Sequence, residues 1–275
     1  MHGVPLTEQV IAAVRRDPAA GALPYLLPHL NVPWVEGGVA NPMDEALLAD
    51  AAFPSGRPLP PSLRAWLAYD ISLLERHKWF TPDGDFAPRP LDRLVGDEMG
   101  DFWGAEFAWL SGRFSECFLL PGGSDSRRVL AVTDPDEEGE YPVFALDLDD
   151  LPYLGLMYPG FDVHLADTAG LLGLGERETC TDLIHHGTYG PRMRRHAAQC
   201  FAGESCVQYP FEFAPVYKQL SPEPGQDRTR TGPRQTGPDA AVAGQDVPGR
   251  ERGGSGPVTP SVLSRSTSRC ATTRS

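Results

Sequence analysis

The chain has 275 residues, 41% of them hydrophobic and 22% charged, with a formal net charge of −13; this is the composition of a folded protein with one large domain or two small ones. The stretch 221–275 has no Phe, Trp or Tyr and sets eight arginines against five acids, so residues 1–220 hold the core-forming side chains and a charge of about −16. A field of that sign repels nucleic-acid phosphates and anionic lipid, and no run approaches ~18 consecutive apolar residues, which argues against a nucleic-acid binder and a membrane span.

Residues 8–16 read as a helix, because Val10, Ile11 and Val14 recur at helical spacing before Asp17-Pro18 stops the pattern. Pro24, Pro28 and Pro33 break 23–36 into an extended strip, laid on the core by Tyr25, Leu26, Leu27 and Trp34. A stronger helix is predicted over 62–75. There Leu63, Trp66, Leu67, Ile71 and Leu74 share one face, behind Pro60-Pro61 and the capping Ser62. A third is predicted over 97–110, with Met99, Trp103, Phe107 and Leu110 inward and Asp97 and Glu98 at the positive end of the dipole.

The pattern then turns to strands. Residues 116–120 are short and apolar, 122–125 make a turn, and 129–133 and 141–148 form a hairpin around the polar loop 134–140. Residues 161–165 read as one more strand. From Thr168 the chain is helical again, with a helix over 193–201 and a closing segment over 207–217. Beyond Leu220, Pro, Gly, Ser, Thr and Arg dominate without periodicity, and such a segment cannot offset its own ordering entropy.

Five cysteines at irregular spacing, Cys117, Cys180, Cys200, Cys206 and Cys270, do not form a disulfide framework. The first 30 residues lack a charged start followed by an apolar core, so the expected location is cytoplasmic. Asp134-Pro135-Asp136-Glu137-Glu138-Gly139 matches the first half of a calcium loop. The second half fails, because Ala145 stands where a bidentate acid belongs. Cys180, His185, His186, His196, Cys200 and Cys206 cluster within a short stretch but match no compact zinc spacing; buried thiols and surface imidazoles explain them. No nucleophile elbow, papain-like cysteine or phosphate-binding loop is present. Arg192, Arg194 and Arg195 form a small basic patch that pairs with the domain's own carboxylates. No metal or cofactor is expected.

Three segments resemble the SMI1/KNR4, or SUKH, superfamily: Leu59-Pro60-Pro61-Ser62-Leu63-Arg64-Ala65-Trp66-Leu67 at a helix start, the hairpin 129–148 with its phrase Tyr141-Pro142-Val143-Phe144-Ala145-Leu146-Asp147, and 162–172 leading into a helix. The resemblance covers about 59–174. It implies an α+β fold, a mostly antiparallel central sheet packed by helices. It divides the chain into an N-terminal helical and extended segment (1–58), a SUKH-like core (59–174), a C-terminal helical extension (175–220) and a disordered tail (221–275). It also implies a non-catalytic domain of the bacterial immunity type, which binds and neutralises a toxin.

An acidic domain without a catalytic constellation fits a protein that recognises a protein, such as a basic toxin domain. The expected recognition surface is Asp134, Asp136, Glu137, Glu138, Asp147, Asp149 and Asp150. Two other readings stand beside it: a small hydrolase-like enzyme using carboxylates with His164 or His185, and a regulatory domain with no toxin connection.

Overall fold

The computed structural model describes residues 1–18, 33–121, 127–147, 153–174 and 177–208. The expected turn at 122–125, the tail 221–275 and most of the strip at 23–36 lie outside the described residues.

Helix α1 (Gly3–Arg16) buries Leu6, Val10, Ile11 and Val14 and carries Arg15 and Arg16 in its last turn, against the negative end of its dipole. It begins well before residue 8, because Pro5 falls in the first turn, where a missing N–H costs nothing. Of the expected strip, Trp34 and Val35 are buried, and the Trp34 ring lies 5.6 Å from that of Trp66. Helix α2 (Glu45–Asp50) was not anticipated; its cap is the Asp44 carboxylate, which accepts the N–H groups of Ala46 and Leu47.

The helix expected over 62–75 is two helices, α3 (Pro61–Leu67) and α4 (Ser72–Glu75). The break follows from Asp70. This carboxylate is fully buried and accepts from the N–H of Asn41 (3.0 Å), the hydroxyl of Ser72 (2.7 Å) and the N–H of Leu73 (3.2 Å). A carboxylate so engaged opens a new helix and cannot sit mid-helix. Of the expected face, Leu63, Trp66, Leu67 and Leu74 are at 0% exposure, whereas Ile71, at the break, is only half-buried and Leu73 is buried with the others.

The helix expected over 97–110 is likewise divided, into α5 (Leu91–Met99), α6 (Asp101–Glu106) and a short 3-10 turn at Ala108–Leu110. Gly100 takes φ = 105° between them, a value open to glycine and closed to most other residues. The two helices then meet backbone to backbone: a Cβ on Gly104 would lie 2.6 Å from the Asp92 carbonyl.

The sheet is a five-stranded antiparallel meander, β1 (Cys117–Leu120), β2 (Arg127–Ala131), β3 (Val143–Asp147), β4 (Tyr153–Tyr158) and β5 (Cys206–Gln208), paired in that order. Its register places Phe118, Leu130 and Val143 on one face and Leu119, Val129, Phe144 and Leu156 on the other. Both faces are covered. Trp79 stacks on Phe118 at 4.5 Å and gives its indole N–H to the Leu119 carbonyl (2.5 Å), while Phe114 and Phe201 pack on Phe144 at 5.1 and 5.2 Å. The chain is therefore an α+β fold whose antiparallel sheet is packed by helices.

Residues 161–165, expected as a strand, belong instead to helix α7 (Phe161–Thr168). Phe161-Asp162-Val163-His164-Leu165 alternates apolar and polar residues as a strand does, but every residue from Phe161 to Ala166 is buried, Asp162 and His164 included. The extra strand is β4, buried along its whole length. Helix α8 (Gly190–Phe201) starts before the expected 193, with Pro191 in its first turn. Of the closing segment over 207–217, Val207 and Gln208 fall in β5, paired with Leu154 and Tyr153, and the rest lies outside the described residues.

Candidate functional site

The connection between β2 and β3 carries four of the carboxylates expected to recognise a partner, and the structure sorts them by depth. Asp134, at 69% side-chain exposure, forms an ion pair with Arg57 at 3.0 Å. Glu137 is half-exposed and pairs with Arg195 at 3.3 Å; Glu138 is exposed. Asp136 is corrected: at 6% exposure it is not part of any surface. Its Oδ1 accepts the N–H groups of Glu138 and Glu140, both at 2.9 Å, and its main chain bonds to Glu140 and Gly139. The half calcium motif thus folds into a turn closed on its own aspartate.

The turn stands on a buried ionic cluster. Arg192 of α8, 3% exposed along its side chain, gives its Nε–H to Asp136, its Nη1–H to Asp162 (3.0 Å) and an Nη2–H to the Pro159 carbonyl (3.4 Å). Asp162, in the first turn of α7, also accepts the N–H of Gly3 at 2.7 Å. Glu140 accepts the N–H of Ser62 at 2.9 Å and shares a 2.5 Å hydrogen bond with its hydroxyl. His196 places Nε2 at 3.1 Å from the Pro159 carbonyl and 3.6 Å from Asp136. One guanidinium therefore ties α1, α7, α8 and the acidic turn together, and Glu140 fastens the turn to α3.

Burial sets the protonation of this cluster. It pushes the Glu140 carboxyl up to about 8, with Asp162 adding to the rise and the Ser62 bonds and Arg192 opposing it. For Asp136 burial acts in the same direction, but His196, Arg192 and the Glu140 N–H outweigh it and hold the carboxyl below its ordinary value. Arg192 stays charged: burial opposes the charge, and Asp162 and Asp136 reinforce it.

The remaining expected residues are dispersed. Asp147 ends β3 opposite Tyr153, and Asp149 and Asp150 lie outside the described residues. Of the cysteines and histidines near the C-terminal helix, Cys200 is buried, with its thiol 3.9 Å from the Thr133 hydroxyl. Cys180 lies 3.0 Å from the Tyr153 hydroxyl, and His186 stacks on Tyr189 at 5.0 Å. Among the described residues no group of three or more His, Cys, Asp or Glu could hold a metal ion, and no helix is long and apolar enough to cross a membrane. Arg192 and Arg195 pair with the domain's own carboxylates, as expected of the basic patch, whereas Arg194 donates to the Ile184 carbonyl at 2.8 Å. His164 is fully buried in α7, whereas His185 is exposed next to Asp182.

What sequence reasoning missed is the cluster itself. Arg192 and Asp136 are 56 positions apart, and no local pattern links them; the available signal was an arginine on the apolar side of a helix, beside Met193 and His196.

No family model matches this chain, and no curated protein matches it. Among solved structures, an uncharacterized protein from Salmonella enterica subsp. enterica serovar typhimurium str. 14028s is similar to it at 17% identity and a TM-score of 0.45, over 75% of this chain and 96% of that one.

Proposed function

We propose that this domain is a non-catalytic binding module that recognises a basic protein surface, with Asp134, Glu137 and Glu138 at the centre of its contact. The observation that supports this reading is the pairing of exposed carboxylates with a rigid base. Three acidic side chains project from a turn whose fourth, Asp136, is locked to Arg192 in the interior. A partner then meets preset charges and does not have to order a loop, which lowers the cost of association. Complementary charge speeds encounter and selects against acidic competitors.

The resemblance to the SMI1/KNR4 superfamily extends the proposal to a role: an immunity-type protein of the cytoplasm that neutralises a toxin whose surface is basic. The test is a pull-down with this domain, followed by titration of the basic protein that it captures. Reversing Asp134, Glu137 and Glu138 to lysine should weaken the complex while leaving the circular dichroism unchanged; equal affinity for the reversed protein would reject the assignment.

A further inference from the structure

A second group of charged side chains lies apart from the cluster around Arg192. On the Phe118 face of the sheet, β2 presents Arg128 between Leu120 of β1 and Ala145 of β3. Helix α7 brings His164 to this region, its ring 5.4 Å from that of Tyr158 in β4. Arg128 and His77, just past α4, both act electrostatically on His164, and Arg128 acts on Tyr158 as well. Arg177 completes the group: its guanidinium lies 5.5 Å over the Tyr158 ring and donates from Nη2 to Asp167 at 2.6 Å.

The polar atoms of this group are unevenly matched. Asp167 is taken by Arg177 and by the Tyr158 hydroxyl, which donates to it at 2.6 Å. Arg128 Nη1, Arg177 Nη1 and His77 Nε2 are buried without a hydrogen-bond partner, whereas His164 has the Pro121 main chain beside it. His164 itself is 0% exposed. Buried donors almost always find acceptors, and a guanidinium N–H left dry is among the costliest exceptions. The group nevertheless reaches solvent, since the side chains of Arg177 and Asp167 are 23% and 17% exposed.

We infer that Arg128, Arg177 and His77, beside His164, form a binding site for a small oxyanion, a phosphate or carboxylate group with Arg128 as its principal counter-charge. An oxyanion supplies several lone pairs, which is what unsatisfied N–H groups require, and guanidinium binds it through charge-assisted hydrogen bonds. The His77 imidazole fits this role as a neutral donor. Burial, then Arg128 and His77, lower His164 to about 3 against the opposing Pro121 hydrogen bond; burial, then Arg76 and Arg89, lower His77 to about 4. A bound anion opposes those cations and raises both titrations.

The site is tested on the full chain by following the imidazole resonances of His77 and His164 at pH 7 while adding inorganic phosphate or acetate at constant ionic strength. The expected result is a saturable shift of both histidines with at least one anion, and the anion that saturates identifies the source. Arg128→Gln should weaken that binding about tenfold or more, and Arg128→Lys should retain part of it. If Arg128→Gln fails to fold, Arg177→Gln replaces it with the same expectation. The absence of a saturable shift with either anion, or equal affinity in a folded Gln variant, would overturn the assignment.

Discussion

Asp134 and Asp136 are two positions apart and chemically identical, yet one is solvent-exposed and the other is locked in the interior. Arg192 makes the difference. A buried charge that loses its partner is destabilising by roughly 3–5 kcal/mol, so Arg192→Met should lower stability by about that amount in chemical denaturation. A change under ~1 kcal/mol would show that the guanidinium does not tie these elements together. Glu140 gives a second test at this scale. Its carboxyl is raised from 4.5 to about 8 in the folded protein, so its contribution to stability is fully present below pH ~4.5 and is lost as pH rises through about 8. Unfolding curves between pH 5 and 9 should show the wild type losing stability on the order of a few kcal/mol, and Glu140→Gln, which carries no proton to lose, staying flatter. Asp136 works in the opposite sense: its lowered carboxyl adds stability that disappears as the pH falls below its ordinary range.

At the scale of elements, the apolar face of 62–75 was legible because Leu63, Trp66 and Leu67 recur with the period of a helix, and all are at 0% exposure. The break within it was not legible, because Asp70 is held by Asn41, far away in sequence. Gly100 and Gly104 stood in plain view inside the helix expected over 97–110, but their effect depends on Asp92 meeting Gly104 across the turn. Helix α7 is hidden by the strand-like alternation of Phe161-Asp162-Val163-His164-Leu165, whose Asp162 turns inward to meet Arg192. The acidic site was legible as a charged turn, whereas its depth was not, since depth is decided by α8. Trp66 packs between Trp34 and Tyr69, each ring 5.6 Å away. Trp66→Ala should therefore cost ~3–5 kcal/mol in a denaturant titration, by lost transfer free energy and a cavity. A cost below ~1 kcal/mol would mean the face is not core.

For the molecule as a whole, a formal charge of −13 makes long-range attraction to any basic protein unavoidable. Net charge alone therefore does not identify a binding surface, and the proposal depends on where the charge is held. The turn at Asp134–Glu138 combines exposed acids with an interior anchor. Glu45, Asp50 and Glu75 are also exposed acids, but they sit on helices α2 and α4. Reversing either trio changes the net charge equally, so only a site-specific contact distinguishes them. The decisive measurement is calorimetric titration of the basic protein that the domain captures in a pull-down, with the wild type and with each trio changed to lysine. The account predicts that the Asp134, Glu137 and Glu138 variant loses about a hundredfold in affinity, well beyond the loss in the Glu45, Asp50 and Glu75 variant. Equal losses in the two variants, or none in the first, would contradict it.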